Sequence, residues 1–185
     1  MYPVNRGSAR LILRECQIGD VEAVYAIYGD AEVTRHLSFE PRSKDDVDAI
    51  VTRGIAAATV TPRSEYALAV VERDSNALVG VGRLALDPHQ QSACTFGFAL
   101  RADVWGKGFG RETVDLLLGL AFEELALHRV WGARSPLNSA SASTMAAAGM
   151  VEEGTIRGHI QKSGVWRDSV VHAILDHEWV GAPRP

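Results

Sequence analysis

The sequence has few of the features that mark secreted, membrane-spanning or metal-binding proteins. Its two cysteines, Cys16 and Cys94, lie far apart and lack the spacing of metal ligands, so we expect reduced, buried thiols and no metal site. No window approaches the roughly 18 uninterrupted apolar residues of a transmembrane helix. The first ten residues, MYPVNRGSAR, lack the apolar region of a signal peptide. We therefore expect a soluble, cytoplasmic protein without a membrane partner.

Charge and composition narrow the class further. The net charge of −4 gives no general reason to expect nucleic-acid binding, so any anion site must be local. With 46% hydrophobic and 23% charged residues, the composition is typical of a globular protein and not of a disordered one. The 185 residues show no internal repeat and no interdomain linker. They predict a single domain over 1–185, with an ordered core over about 9–180 and a loose tail at 181–185.

Hydrophobic patterning in the first half predicts a strand, two helices and a hairpin. The segment ARLILREC, 9–16, alternates apolar and polar residues as a half-buried strand does. We expect Asp20 to cap a helix that runs to about Tyr28, and Ser43 to cap a second helix within 42–60. Two further strands, joined by the turn residues DSN, form the hairpin. They span 66–72 and 78–86.

The second half predicts a strand–helix–strand unit followed by a helix and an antiparallel pair. A third consecutive strand leads through a glycine-rich loop into an amphipathic helix, and a short strand follows. A small-residue helix then starts near Asn138 and ends at Gly149. The predicted elements are strand 92–101, helix 111–127, strand 129–135, and the final strands 154–160 and 166–175. This order predicts an α+β fold with a mixed sheet and one parallel crossover.

The segment WGKGFGR, 105–111, is the strongest chemical signal in the sequence. Three glycines alternate with other residues at the start of a helix, and Lys107 and Arg111 add positive charge. A helix start presents unpaired N–H groups and the positive end of the dipole, and glycines let an anion approach the backbone. The loop therefore predicts a phosphate site, most simply for a pyrophosphate. It is too short for a Walker loop and lacks the acidic residue of a Rossmann fingerprint. A turn and helix cap without a ligand is the alternative.

Four motifs in order resemble the GNAT N-acetyltransferases, in particular the Rim-type branch that acetylates ribosomal proteins at an N-terminal alanine or serine. The loop fits the x-x-x-G-x-G frame that opens the family's acetyl-CoA helix, with Trp105 where Gln or Arg is usual. Segment 11–37 is similar to the branch's first strand and helix. Segment 136–158 resembles its N-x-A-S motif followed by glycine and E-G-x-x-R, and segment 164–179 resembles its closing G-x-W-x-D and E-W.

The resemblance implies a GNAT fold, which is a mixed, mostly antiparallel sheet splayed at a parallel pair and flanked by helices. It implies acetyl-CoA as cosubstrate, no metal, and transfer of the acetyl group to a primary amine, most simply a peptide or protein N-terminus. The alternatives are a small-molecule amine such as a polyamine or antibiotic, and a non-catalytic acyl-CoA-binding module. A homodimer is expected by analogy with the branch. The implied cofactor-binding residues are Phe98, Ala99, Leu100, Trp105, Gly106, Lys107, Gly108, Phe109, Gly110, Arg111, Glu112, Asn138 and Ser141.

The resemblance indicates fewer residues for catalysis of acetyl transfer than for cofactor binding. Many GNAT enzymes use a tyrosine on the small-residue helix, and this chain has none there. Ser141 matches a serine that could donate a hydrogen bond to the leaving thiolate, or it serves only close packing. Thr95 stands where the branch often has a glutamate, which favours an acceptor that is already neutral: an α-amine with a pKa near ~8 rather than a lysine near ~10.4. His172 is a candidate near the acceptor, whose site is expected between 34–43 and 158–167.

Overall fold

A computed structural model describes residues 2–181, and its strands form one sheet in the order β1-β2-β3-β4-β5-β6-β8-β7. The strands are β1 (Asn5–Gly7), β2 (Leu11–Glu15), β3 (Glu65–Glu72), β4 (Leu78–Leu86), β5 (Ala93–Leu100), β6 (Arg129–Arg134), β7 (Val151–Lys162) and β8 (Val165–Leu175). Neighbouring strands pair antiparallel, except β5 and β6, which are parallel. The predicted mixed α+β sheet is therefore confirmed.

Helices cover both faces of this sheet. They are α1 (Val21–Tyr28), α2 (Ala31–Thr34), α3 (Lys44–Ala58), α4 (Phe109–Gly119, extended by a π-helical turn at Leu120–Glu124) and α5 (Ser139–Ala147). Because side chains alternate across a strand, successive residues of β3 enter different cores. Leu68 and Val70 pack with the residues of α4 and α5, whereas Ala69 and Val71 pack with α1 and α3. The sheet thus separates two helical layers.

Several predicted boundaries hold and several do not. Ser43 caps α3 as predicted, because its hydroxyl accepts from the Asp46 N–H at 3.1 Å. Asp20 occupies the N-cap position of α1 as predicted, but its carboxylate makes no cap bond to the helix and instead accepts from Arg14 at 2.7 Å. Strand β1 and the single turn α2 are absent from the prediction, because three or four residues are too few to show a period. Helix α4 begins at Phe109, two residues before the predicted start.

Strands β5 and β6 separate shortly after they begin to pair. Their parallel pairing covers only 93–95 of β5 against 129–131 of β6, whereas β4 pairs with β5 up to Leu100. The Phe96 ring lies against Gly132, where a Cβ atom would come within 2.6 Å of the ring. An aromatic ring thus stands where the two strands diverge. The edge of β5 that faces β6 is left unpaired over 96–100 in the described part of the chain.

No helix within residues 2–181 is both long enough and apolar enough to cross a membrane. The predicted loose tail at 181–185 lies outside the described residues apart from Gly181.

Candidate active site

The glycine-rich loop lies at the open end of the gap, where β5 leads into α4. Gly106 has a φ of 75° and Gly108, at the N-cap of α4, a φ of 82°, a left-handed conformation that favours glycine. A Cβ atom on Gly106 would meet nothing within 4 Å, so a ligand can reach this backbone closely. No side chain caps α4, and its first N–H groups lack intrahelical acceptors. The loop has the geometry of an anion site.

Arg10, which precedes β2, fixes this loop from the other side. Its Nη1 donates to the Lys107 carbonyl at 2.8 Å, its Nε donates to the Glu112 carboxylate at 2.8 Å, and its guanidinium lies 4.6 Å from the centre of the Phe109 ring. The sequence analysis missed Arg10, since about a hundred residues separate it from the loop and no local pattern joins them.

Glu112, expected among the cofactor-binding residues, has its carboxylate engaged within the protein. It accepts from the Ser8 hydroxyl at 2.5 Å and from the Arg10 N–H at 2.8 Å, as well as from the Arg10 side chain. Burial raises the pKa of this carboxyl, but these hydrogen bonds outweigh burial and hold the pKa below its ordinary value. The structure therefore places Glu112 as a support for the loop.

Trp105 also has a structural contact within the site. Its indole Nε1 donates to the carbonyl of Leu100 at 2.9 Å, which fastens the loop to the end of β5. Lys107 and Arg111 are exposed beside the glycines, and Arg111 also pairs with Asp115 at 3.1 Å. Both cations lie next to the backbone N–H groups, although Asp115 offsets part of the Arg111 charge.

A second helix start, that of α5, lies across the gap from β5. Asn138 is its N-cap, and the Asn138 Oδ1 accepts from the Ser141 N–H at 3.0 Å. The predicted helix start near Asn138 is therefore confirmed. Asn138 and Ser141 both line a cleft together with residues 95–99 of β5 and 131–134 of β6.

This cleft, which we name the acceptor cleft, has a volume of roughly 370 Å³ and passes through the gap in the sheet. At one end it is lined by the start of α5. At the other it is lined by segment 36–39, which follows α2, and by His159, Ile160 and Arg167 of the β7–β8 hairpin. The two segments predicted to form the acceptor site meet here. Lys162 joins them, donating to the carbonyls of Thr34 at 2.6 Å and Arg35 at 3.1 Å.

The walls of the acceptor cleft are cationic. Among the described residues it is lined by Arg83, Arg134 and Arg167 and by no aspartate or glutamate. Arg167 donates to the carbonyls of His36 at 3.2 Å and Leu37 at 3.4 Å, and burial lowers its pKa. Burial, followed by nearby cations, also lowers the pKa of His36. The cleft therefore offers no carboxylate as a general base, and it disfavours a second positive charge.

His172 lies outside the acceptor cleft, although the sequence analysis placed it near the acceptor. Its side chain is 3% exposed, and its Nε2 accepts from the Nε of Arg134 at 3.0 Å. Because Nε2 accepts, the ring is neutral, and its Nδ1 is buried without a partner in the described residues. Burial, followed by the charge of Arg134, lowers the pKa of His172. His172 therefore orients Arg134, which lines the acceptor cleft, and does not itself line it.

Comparison with known proteins identifies the fold and the family. Residues 10–151 match the family described as an acetyltransferase (GNAT) domain. The chain belongs to the GNAT acetyltransferase family. The predicted resemblance and the predicted enzyme class are thereby confirmed. The glycine-rich loop 105–111 and the divergence of β5 from β6 both lie within the matched residues.

Three proteins similar to this GNAT domain are distant in sequence but cover more than nine-tenths of it. An uncharacterized N-acetyltransferase of Bacillus subtilis, YnaD, is 27% identical over 172 residues, which is 92% of this chain and 96% of YnaD. RimJ of Mycobacterium smegmatis, solved with CoA-disulfide, superposes with a TM-score of 0.85 at 19% identity, covering 98% of this chain and 93% of RimJ. A Vibrio cholerae spermidine N-acetyltransferase, solved with CoA and spermine, gives 0.81 at 20% identity, covering 94% of this chain and all of the other.

Proposed function

We propose that this chain transfers the acetyl group of acetyl-CoA to the α-amine of a peptide or protein N-terminus. The observation that carries the proposal is the acceptor cleft, which runs through the gap between β5 and β6 and joins the two sides of the sheet. An acyl carrier held along β5 and an amine entering past 36–39 would meet within this gap.

The residues at the α4 start suit the diphosphate of coenzyme A. Gly106 and Gly108 leave the backbone open, and Lys107 and Arg111 supply the charge that compensates a diphosphate. The unpaired edge of β5 at 96–100 can hydrogen-bond an extended amide-containing arm, as an additional strand would. Acetyl-CoA supplies the activated acyl group, and the chain's own residues bind and orient it.

We propose that Ser141 stabilises the departing thiolate sulfur of coenzyme A. Its side chain lines the acceptor cleft in the first turn of α5, where a hydroxyl donor and the positive end of the helix dipole both favour negative charge. A serine is too weak an acid to give up a proton readily, so its role is one stabilising hydrogen bond.

The absence of a carboxylate among the described residues of the cleft favours an α-amine over a lysine or polyamine amine. An α-amine has a pKa near ~8, so a useful fraction is neutral at neutral pH without a base. Thr95, which lines the cleft where a glutamate would be a base, gives only a hydroxyl, and that hydroxyl donates to the Ala85 carbonyl at 3.4 Å.

A thiol-release assay with acetyl-CoA tests this proposal. The acceptors are peptides that vary in their first two residues, an N-blocked lysine peptide and spermidine. We expect peptide α-amines to release thiol well above hydrolysis and the other two to release less at neutral pH. Highest turnover with spermidine would instead support a small-molecule acetyltransferase. CoA binding by calorimetry without thiol release for any acceptor would support a non-catalytic acyl-CoA-binding module.

A further inference from the structure

Two partly buried arginines near the acceptor have no carboxylate partner. A smaller side cleft of roughly 220 Å³ lies next to the acceptor cleft and shares Phe39 and Arg83 with it, and it is also lined by Arg42. The Nε atoms of Arg42 and Arg167 are both buried without a hydrogen-bond partner in the described chain. These two guanidinium groups flank the segment that forms the mouth of the acceptor cleft.

Two of the other arginines that line the clefts form ion pairs with carboxylates. Arg83 pairs with Glu65 at 2.7 Å, and Arg134 pairs with Glu152 at 3.1 Å. Among residues 2–181, no ion pair joins Arg42 or Arg167 to a carboxylate. Arg53, which lines the side cleft, also has no ion pair in this part of the chain, but it is exposed, so Arg42 and Arg167 are set apart by their buried Nε atoms.

The direct contacts of these two guanidinium groups are to neutral partners, although the Asp46 carboxylate interacts electrostatically with Arg42 and Glu65 also lines the side cleft. Arg167 donates only its Nη1, to the neutral carbonyls of His36 and Leu37. The Arg42 guanidinium lies 4.7 Å from the centre of the Phe39 ring, a cation–π contact that also carries no net negative charge. A partly buried guanidinium with free donors is costly without an anion, and its planar fork matches a carboxylate.

We propose that the acceptor is an amine that also carries a carboxylate, which Arg167 and Arg42 bind. This inference rests on the proposed function and narrows its substrate class. The carboxylate has two possible sources: an acidic side chain near a peptide N-terminus, or the C-terminal carboxylate of a free amino acid or very short peptide. A polycation such as spermidine is repelled by the same two arginines.

Matched acceptor pairs distinguish these sources. Ser-Glu-Ala amide against Ser-Gln-Ala amide tests the side-chain carboxylate, serine against serinamide tests the terminal one, and spermidine tests the polycation. Each is measured by thiol release with acetyl-CoA and by calorimetric binding to the CoA-loaded protein. We expect at least one carboxylate member to have a kcat/KM about tenfold higher, or a Kd about tenfold lower, than its neutral partner, the effect of one charged hydrogen bond. Equal kcat/KM and Kd values within both pairs would overturn the inference. So would a lower Kd for spermidine than for every other acceptor.

Arginine variants test which residues are responsible. Arg167→Gln and Arg42→Gln should each reduce the carboxylate preference at least several-fold while CoA affinity stays unchanged, and Arg167→Lys should restore part of it. The matched control is Arg35→Gln, which removes an equal charge from an exposed residue next to His36 that lines neither cleft. An equal loss in the control would indicate general electrostatics and contradict the assignment.

The binding measurement separates failure of this inference from failure of the proposed function. Binding of a carboxylate-bearing amine without any thiol release would refute catalysis but retain the anion preference. Acetylation of amines with and without a carboxylate at equal rates would support catalysis but refute the anion preference. If Arg167→Gln fails to fold because its carbonyl contacts are lost, Arg42→Gln still decides, since the Arg42 side chain donates to no backbone carbonyl within residues 2–181.

Discussion

The phosphate loop and the acceptor cleft are built in opposite ways. The loop is one contiguous segment, 105–111, and the groups that we propose bind the diphosphate are its backbone N–H groups, beside glycines with positive φ. The acceptor cleft is formed by side chains from β5, β6, α5, the segment after α2 and the β7–β8 hairpin. We therefore expect substitutions in the loop to change how tightly its ligand binds but not which class of ligand binds. In the cleft, we expect single substitutions to change which acceptor binds.

The loop should fail when negative charge is placed where the diphosphate binds. In Gly106→Asp the new side chain enters space that is empty of protein within 4 Å of Cβ. We expect CoA affinity to fall by at least about 100-fold, because two like charges are brought close together at the protein surface. Calorimetry with CoA measures the effect. Gly106→Asn is the control, because it shares the shape and backbone strain without the charge. Equal affinities for both variants and the unchanged protein would refute the site.

Ser141→Ala tests whether the two regions meet at the reacting atoms. We expect kcat to fall about tenfold, since one hydrogen bond to developing charge is lost, while the Kd for CoA changes by less than about twofold. Stopped-time thiol release and calorimetry give the two values. Ser143→Ala, on an exposed residue of the same helix that does not line the cleft, should leave both unchanged. Identical rates for the two variants would reduce Ser141 to a packing residue.

Arg10→Gln measures how far the loop depends on a distant support. It removes the donors to the Lys107 carbonyl and the Glu112 carboxylate. We expect about fivefold weaker CoA binding and a loss of about 1 kcal/mol in unfolding free energy, since the side chain is partly exposed. Arg73→Gln is the control: Arg73 donates to the Ser8 carbonyl at 2.8 Å near the same turn. A loop that binds CoA normally without Arg10 would show that its glycines suffice.

His172 should have the smallest effect, and on stability rather than on binding. Its pKa lies below its usual value of 6.5 because of burial and the Arg134 charge. The unfolded chain thus binds more protons than the folded one as the pH falls through 6.5 towards the folded pKa, and stability decreases over that window. Urea unfolding of His172→Gln should show a smaller decrease. His159→Gln, an exposed control, should behave as the unchanged protein does. An unchanged slope in His172→Gln would contradict a buried neutral ring.

Most of the fold could be predicted because its signals are local. Alternation marked β2, the turn residues DSN marked the hairpin of β3 and β4, Ser43 marked the start of α3, and Asn138 marked the start of α5. The failures have physical causes. Asp20 has the residue type and place of a cap, but Arg14 on β2 attracts its carboxylate. The burial of His172 follows from its pairing opposite Gly132 and from Arg134, both on another strand.

The sequence by itself determined the sheet class and the family and predicted where the glycine-rich loop leads into a helix, because backbone conformation, helix capping and glycine spacing act over a few neighbouring residues. Only the tertiary structure decided which side chains support that loop and which form the acceptor cleft. Arg10 reaches Lys107, and Arg167 reaches segment 36–39, across about a hundred residues of chain. Charge balance at such places depends on distances in space, and no spacing along the chain encodes those distances.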